Sequence, residues 1–334
     1  MVYESYAIIV FTIYRRGDEV LEISRTNKRI HIEKYLFTLI LLFTLVFPFS
    51  GCTAPDTTTA QDEENGKSFI WKISSEDSYV YLLGSIHVAS PDIYPLDSSI
   101  EDAFQESDKL VVEININEVS PLKSLLLIEK YGTYPAGQGL TESLPEPLYM
   151  QLESVFSEMG IPLLTVNDYR PWVVVMMMEG LVVGEGDYSA EYGIDMHFLD
   201  RAADRDMEIL ELESAEYQFE LLSGLPDELM ILVLEMSFEE PVSLDDIDIM
   251  FELWEKGDAE GMVALMLEDV DAEPGLAPFY DAFFTERNHN MVAEIEEYLA
   301  DEFIHFIVVG AGHMGSEEGL INLLDEAGYI VEQL

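Results

Sequence analysis

Basic residues are what this sequence most lacks. Only 16 Lys and Arg stand against 66 Asp and Glu in 334 residues, a formal net charge of −50. A surface of that sign repels a phosphate backbone, which excludes nucleic acid as a partner. The Asp and Glu are interleaved with apolar residues along the whole chain instead of gathering in a tail, so they read as the solvated acidic surface of a folded protein. Dense carboxylates hold a hydration shell, and in about 1 M salt their repulsion is screened within about 3 Å. The composition therefore predicts a halophilic protein whose melting temperature climbs from dilute buffer to molar salt. Maximal stability in dilute buffer would end that reading.

Cysteine is nearly absent as well: Cys52 is the only one, so no intrachain disulfide can form. With 14 Pro and 21 Gly the chain is not a low-complexity sequence, and at 49% hydrophobic it can bury a sizeable core. No internal repeat of fixed period is present. Long apolar runs are missing too, since the run from Tyr35 to Phe49 falls short of the roughly 20 residues that a permanent spanning helix needs.

That short run has the flanks of an export signal. Lys28, Arg29 and Lys34 precede it and Ser50-Gly51-Cys52 follows. Cys52 stands where lipoproteins carry their lipidated residue, and Phe49-Ser50-Gly51-Cys52 resembles a lipobox with Phe in place of the commoner Leu. The expectation is a lipid anchor at Cys52 on the outer face of the cell membrane, with a plain cleaved signal peptide or an N-terminal anchor as the alternative. Residues 1–51 hold 6 of the 16 basic and 5 of the 66 acidic residues, leaving 10 basic and 61 acidic, net −51, in the mature part. The positive charge thus sits where a positive-inside signal wants it. Residues 1–27 do not belong to such a signal and point to a start codon placed too early. Residues 52–67, polar with Pro, Thr and Asp, read as a flexible tether.

From residue 68 the pattern is α+β. Phe69–Ile73 and Tyr79–Leu83 are β-type runs around the turn residues Ser74 to Ser78, which predicts a hairpin. Asp97-Ser98-Ser99 caps a helix carrying Ile100, Ala103 and Phe104 on one face, and Lys109–Ile114 is a third strand. Strand, helix, strand over about thirty residues is the signature of a crossover with parallel neighbours. Helical periodicity then covers Leu122–Lys130, Glu146–Glu158, Pro171–Gly180 and Glu191–Arg205. Glu208–Leu212 is strand-like, several helices fill Ser214 to Ala300, and His305–Val309 is strongly β-branched. A helix over Ser316–Ala327 and a strand over Tyr329–Val331 close the chain. The prediction is one mixed sheet built from both ends of residues 68–334 and flanked by helices, with large helical insertions at about 120–205 and 214–300.

In such sheets ligands bind beyond the carboxyl ends of the strands. Four residues stand there: His87 after Gly84-Ser85-Ile86, Glu113, Glu213, and His313 after Gly310-Ala311-Gly312. Two imidazoles with one or two carboxylates suit a divalent metal that keeps a position open for water. A lone His after a strand is usually a hydrogen-bonded structural residue, but two matched Gly-x-x-His segments among six histidines point to a site. Arginine is scarce enough that each one after the signal, at 170, 201, 205 and 287, has a specific job, either pairing buried carboxylates or stabilising an anion. Arg201 and Arg205 read as one exposed helix face, and Arg287-Asn288 as an anion or oxyanion contact. His197 either lines the cleft or caps a core helix, His289 and His305 read as structural, and Met176–Met178 as core.

The order of these motifs resembles the TraB/GumN family, also called the Tiki/TraB/PrgY group. The matching elements are Tyr81 to His87, Leu110-Val111-Val112-Glu113, Pro171-Trp172, Gly193-Ile194-Asp195, Leu212-Glu213 with Gln218, Arg287-Asn288 with Met291, and Val308 to Gly315. Ser85 departs from the commoner Thr, a chemically mild change. The resemblance implies a fold related to erythromycin esterase and ChaN-like proteins and a metal-dependent protease activity that uses the paired Gly-x-x-His motifs and a Glu. It also implies a Mn- or Co-type ion, with Zn as a further option.

The resulting expectation is an extracytoplasmic, lipid-anchored metallohydrolase acting on a peptide or protein substrate. His87, Glu113 and His313 hold the divalent metal, Glu213 completes the ligand set or acts as general base, and Arg287 and Asn288 stabilise the oxyanion. The competing expectation is a non-catalytic binding lipoprotein that sequesters a peptide signal, haem or a metal ion in the same cleft.

Overall fold

The computed structural model describes residues 67–182, 188–239 and 244–334. The signal region, Cys52 and all of the tether but Lys67 lie outside the described residues. Among the described residues no helix is long and apolar enough to cross a membrane.

The strands are β1 (Ile70–Ser74), β2 (Tyr79–Ser85), β3 (Lys109–Val112), β4 (Glu208–Glu211), β5 (His305–Gly310) and β6 (Ile330–Gln333). They form one mixed sheet in the order β4-β3-β5-β2-β1-β6. The hairpin expected at the start is present, with Ile70 opposite Leu83 and Ser75 N–H donating to the Ser78 carbonyl at 2.9 Å. The final strand returns antiparallel to β1, Trp71 opposite Gln333. Both ends of the domain therefore share one edge of the sheet.

β5 is buried along its whole length and β2 at every residue but the first, so both faces of the sheet centre are covered. Continuous apolar runs such as Phe306-Ile307-Val308-Val309 suit that position, whereas an alternating pattern would leave a polar row inside. The longer helices are α1 (Ser98–Glu106), α2 (Pro121–Tyr131), α3 (Glu146–Glu158), α4 (Pro171–Val182), α5 (Ile194–Asp204), α6 (Ala215–Gly224), α7 (Asp227–Glu239), α8 (Leu244–Glu255), α9 (Ala259–Ala272), α10 (Glu286–Leu299) and α11 (Leu320–Glu326). Capping follows the sequence signals. The Asp97 carboxylate accepts from Ser99 N–H, and the Ser120 hydroxyl accepts from Lys123 N–H ahead of Pro121. Ile100, Ala103 and Phe104 form the buried face of α1, and Met176–Met178 pack against the core.

Three expectations change. The strands flanking α1 are parallel but not neighbours, because β5 lies between β2 and β3 and pairs parallel with both. A local strand-helix-strand pattern carries no information about a strand delivered from near the C-terminus. The helix expected over Ser316–Ala327 starts only at Leu320: Ser316 has a φ of 77°, outside the helical region. The helix expected over Glu191–Arg205 is interrupted at Gly193, where a Cβ would lie 2.3 Å from the His87 carbonyl oxygen. Only glycine allows that approach.

Candidate active site

Parallel pairing of β2 with β5, β5 with β3, and β3 with β4 places four carboxyl ends on one edge of the sheet. The register aligns Ser85 with Gly310, and Val112 with both Val308 and Glu211. Past β3 and β4 the pairing continues, with Glu213 N–H donating to the Glu113 carbonyl at 2.9 Å. His87, Glu113, Glu213 and His313, distant in sequence, are thereby delivered to one place.

Gly310 is the centre of the cluster. A Cβ placed there would find Glu113 Oε1 at 3.4 Å, His313 Cδ2 at 3.6 Å and His87 Nε2 at 3.8 Å. The Gly310 N–H donates to Glu113 Oε1 at 2.7 Å, and His313 Nε2 stands 3.9 Å from the same oxygen. His87, Glu113 and His313 are only 2%, 5% and 3% exposed, so their interactions are weakly screened.

Each imidazole is oriented through Nδ1. That of His87 lies 2.6 Å from Asp195 Oδ2, while Asp195 Oδ1 accepts from the Ser85 hydroxyl at 2.8 Å. That of His313 lies 2.6 Å from Asn288 Oδ1, and the Asn288 amide nitrogen donates to the Glu318 carbonyl at 2.7 Å. An acceptor at Nδ1 draws the proton there and leaves the lone pair on Nε2. Burial, with the Arg287 charge, pushes the His313 imidazole down to about 3, so it is neutral at pH 7.

Arg287 is 1% exposed and faces carboxylates. Its Nε donates to Glu213 Oε1 at 2.9 Å, one terminal nitrogen reaches both Glu213 Oε2 at 2.8 Å and Glu113 Oε2, and the other donates to the Phe283 carbonyl at 3.1 Å. Phe283 belongs to a π-helical turn, Asp281–Thr285, that leads into α10, a winding that recurs at functional sites. From the same turn Phe284 sets its ring 5.1 Å from that of His313. Burial opposes the ionisation of Glu113, but Arg287, followed by His313 and His87, outweighs it and holds the carboxyl well below the usual range. Burial likewise opposes the Arg287 charge, and Glu213 and Glu113 more than compensate and push its pKa up.

These contacts show what Arg287, Asn288 and Glu213 already engage within the fold. The guanidinium is turned to Glu113 and Glu213 as their counter-charge. Asn288 is spent on His313 and Glu318. Glu213 receives Arg287 on both oxygens and Gln218 on Oε2 at 3.0 Å, which leaves it poorly placed as a base or a metal donor. Sequence reasoning assigned no role to Asp195, although Gly193-Ile194-Asp195 was among the motifs it picked out.

The other candidates lie apart from this cluster. His197 stacks on Tyr94 with centroids 4.2 Å apart and contacts Arg201, and burial followed by that charge pushes it down to about 4. Arg201 pairs with Glu101 and lies over the Phe104 ring, while Arg205 donates to the Phe104 carbonyl. The two clamp α1 to α5 instead of forming an exposed face. Arg170 pairs with Asp227 at 2.7 Å, and His289 with Glu318 at the surface. His305 is buried at the amino end of β5, opposite the cluster.

The donor set fits a divalent cation in chemistry and is slightly open in spacing. Two imidazole Nε2 atoms and Glu113 Oε1 face one volume, and the carboxyl groups of Glu113, Glu213 and Asp195 outnumber the single guanidinium, so a cation improves the charge balance. Donors each about 2.1 Å from one ion lie about 3.0–3.4 Å apart. At 3.9 Å, His313 Nε2 and Glu113 Oε1 are about 0.5–0.9 Å wider than that, and among the described residues no three such side chains already stand at coordinating spacing.

Over 155 residues the chain is 28% identical to the uncharacterized protein YbaP of Escherichia coli (strain K12), a match covering 46% of this chain and 56% of that protein. It is 23% identical over 331 residues to the protein named Metalloprotease TIKI1 of Danio rerio, covering 85% of this chain and 65% of the other. To the Metalloprotease TIKI homolog of Nematostella vectensis it is 20% identical over 344 residues, covering 86% and 70%. The chain thus spans from little more than half to about two thirds of the length of these relatives. No solved structure matches it. The family model for TraB/PrgY/gumN matches residues 69–333, nearly all of the described fold, and the chain belongs to that family.

Proposed function

We propose that this protein is a metal-dependent hydrolase that cleaves peptide bonds outside the cytoplasm. The observation that carries this reading is the convergence of His87 Nε2, Glu113 Oε1 and His313 on the space beside Gly310. Its family membership and its similarity to two proteins named metalloproteases support it. A divalent cation of Mn, Co or Zn type would supply Lewis acidity there and lower the pKa of a water.

The chain's own residues prepare the site. His87 and His313 offer Nε2 lone pairs because Asp195 and Asn288 occupy Nδ1. Arg287 keeps Glu113 ionised, so Oε1 of that carboxylate, which also accepts the Gly310 N–H, would serve as the anionic donor to the cation. Phe284 packs its ring at a tilt beside that of His313, with centroids 5.1 Å apart. The membrane side of the reading rests on Lys28 to Cys52, which would leave the domain tethered by lipid at Cys52.

The test is incubation of the full-length, detergent-extracted protein, loaded with Mn²⁺ or Co²⁺, with a mixed peptide library with and without chelator. The expected outcome is products that vanish with chelator, and release of the Cys52→Ser protein from the membrane fraction. Bound metal without any product would instead support a lipoprotein that sequesters metal, and failure to take up metal would exclude the hydrolase.

A further inference from the structure

The two Gly-x-x-His segments are matched in sequence but not in what stands behind them. His87 Nδ1 faces a carboxyl oxygen of Asp195 at 2.6 Å, and His313 Nδ1 faces the amide oxygen of Asn288 at the same distance. Both oxygens can only accept, so both rings carry the proton on Nδ1 and direct Nε2 inward. The partners differ in charge.

Asp195 is itself held. It is 4% exposed, Ser85 donates to its second oxygen, and it sits in the first turn of α5. Gly193 lets α5 begin against the His87 backbone, and Ile194 N–H donates to the Ile86 carbonyl at 3.0 Å. The start of α5 is thus fastened to the very segment that carries His87. Asn288 is uncharged, and its amide nitrogen is used on the Glu318 carbonyl.

We propose that Asp195 is a positioning residue that makes His87 the anchoring donor for the divalent cation, while the amide-backed His313 is the weaker donor. A carboxylate at Nδ1 fixes the ring and shifts electron density toward Nε2, which strengthens it as a donor. An amide fixes the ring without that electronic push. This inference rests on the metal-dependent reading above and assigns the two histidines unequal shares of it.

The test measures Mn²⁺ binding by calorimetry and Co²⁺ binding by absorption on chelator-treated full-length protein. Asp195→Asn preserves shape and offers His87 an amide oxygen, and the expected result is about 10- to 100-fold weaker Mn²⁺ binding with an unchanged metal-free unfolding midpoint. Asp195→Ala should weaken binding more than Asn288→Ala does. Binding by Asp195→Asn within about twofold of wild type, or a larger loss for Asn288→Ala than for Asp195→Ala, would overturn the inference while leaving metal dependence intact. A wild-type protein that takes up neither ion would overturn both. Because Asp195→Asn is isosteric, the comparison survives even where an alanine variant does not fold.

Discussion

His87→Ala and His313→Ala are each expected to lower metal-dependent peptide cleavage on the order of 10³-fold or more in kcat/KM, because each removes one of three groups facing the same point. The two losses should not add, since a site short of one donor has already lost its function. Both rings are buried, and their removal also strands a polar partner, Asp195 or Asn288, so a stability cost of about 1–3 kcal/mol accompanies the change. That cost leaves a cooperative fold, because the sheet beneath is built from backbone pairing and apolar residues that neither substitution touches. Cleavage assays with added Mn²⁺ and urea unfolding of the metal-free proteins separate the two effects. Full metal binding by the double variant would end the assignment.

Arg287→Met is expected to be the most destabilising single change at the site, costing about 3–5 kcal/mol at pH 7. Glu113 and Glu213 converge on this one guanidinium at 1% exposure, and its loss leaves two carboxyl groups without their shared counter-charge in a volume water does not reach. The pH dependence follows with a definite sign. In the native protein the Glu113 carboxyl is held below its unfolded value, so its contribution is present above the unfolded value and is lost as pH falls through the folded one. Without Arg287 the burial of Glu113 dominates and its folded pKa moves above the unfolded value. Its favourable, protonated contribution is then present at low pH and lost as pH rises. The stability gap between the two proteins should therefore narrow from pH 7 to pH 5, and the difference cancels the titration of the acidic surface common to both. Urea unfolding with chelator present at the two pH values measures it. A gap that widens on acidification would show that Arg287 does not serve the glutamates.

The scarcity of arginine points to residues that either pair buried carboxylates or stabilise an anion, and Arg287 makes contacts of the first kind. In a chain with 66 acidic residues, a buried guanidinium is more urgently needed by buried carboxylates than by a passing substrate anion, and both oxygens of Glu213 together with one of Glu113 take it. Glu213 was legible as a polar residue past a strand end, but nothing local shows that its lone pairs are already taken by Arg287 and Gln218. Asp195 could not be singled out by composition, being one acid among many and 108 residues from the histidine it serves. The available signal was its place after Gly193 at the start of a helix, a spacing that only makes sense once that helix is known to press against His87.

Sequence alone determined the strand and helix types, the polar residues stationed past the ends of apolar strands, the paired Gly-x-x-His segments and the acidic surface. All of these follow from local physics, namely side-chain periodicity, capping and the conformational freedom of glycine. Tertiary structure alone decided that β5 lies between β2 and β3, that His87, Glu113 and His313 meet beside Gly310, and that Asp195, Asn288 and Arg287 stand behind them. Strand order is set by which apolar runs cover one another's faces, a contest between segments far apart in the chain. The partners of a buried polar group are set by what that contest leaves within about 3 Å of it.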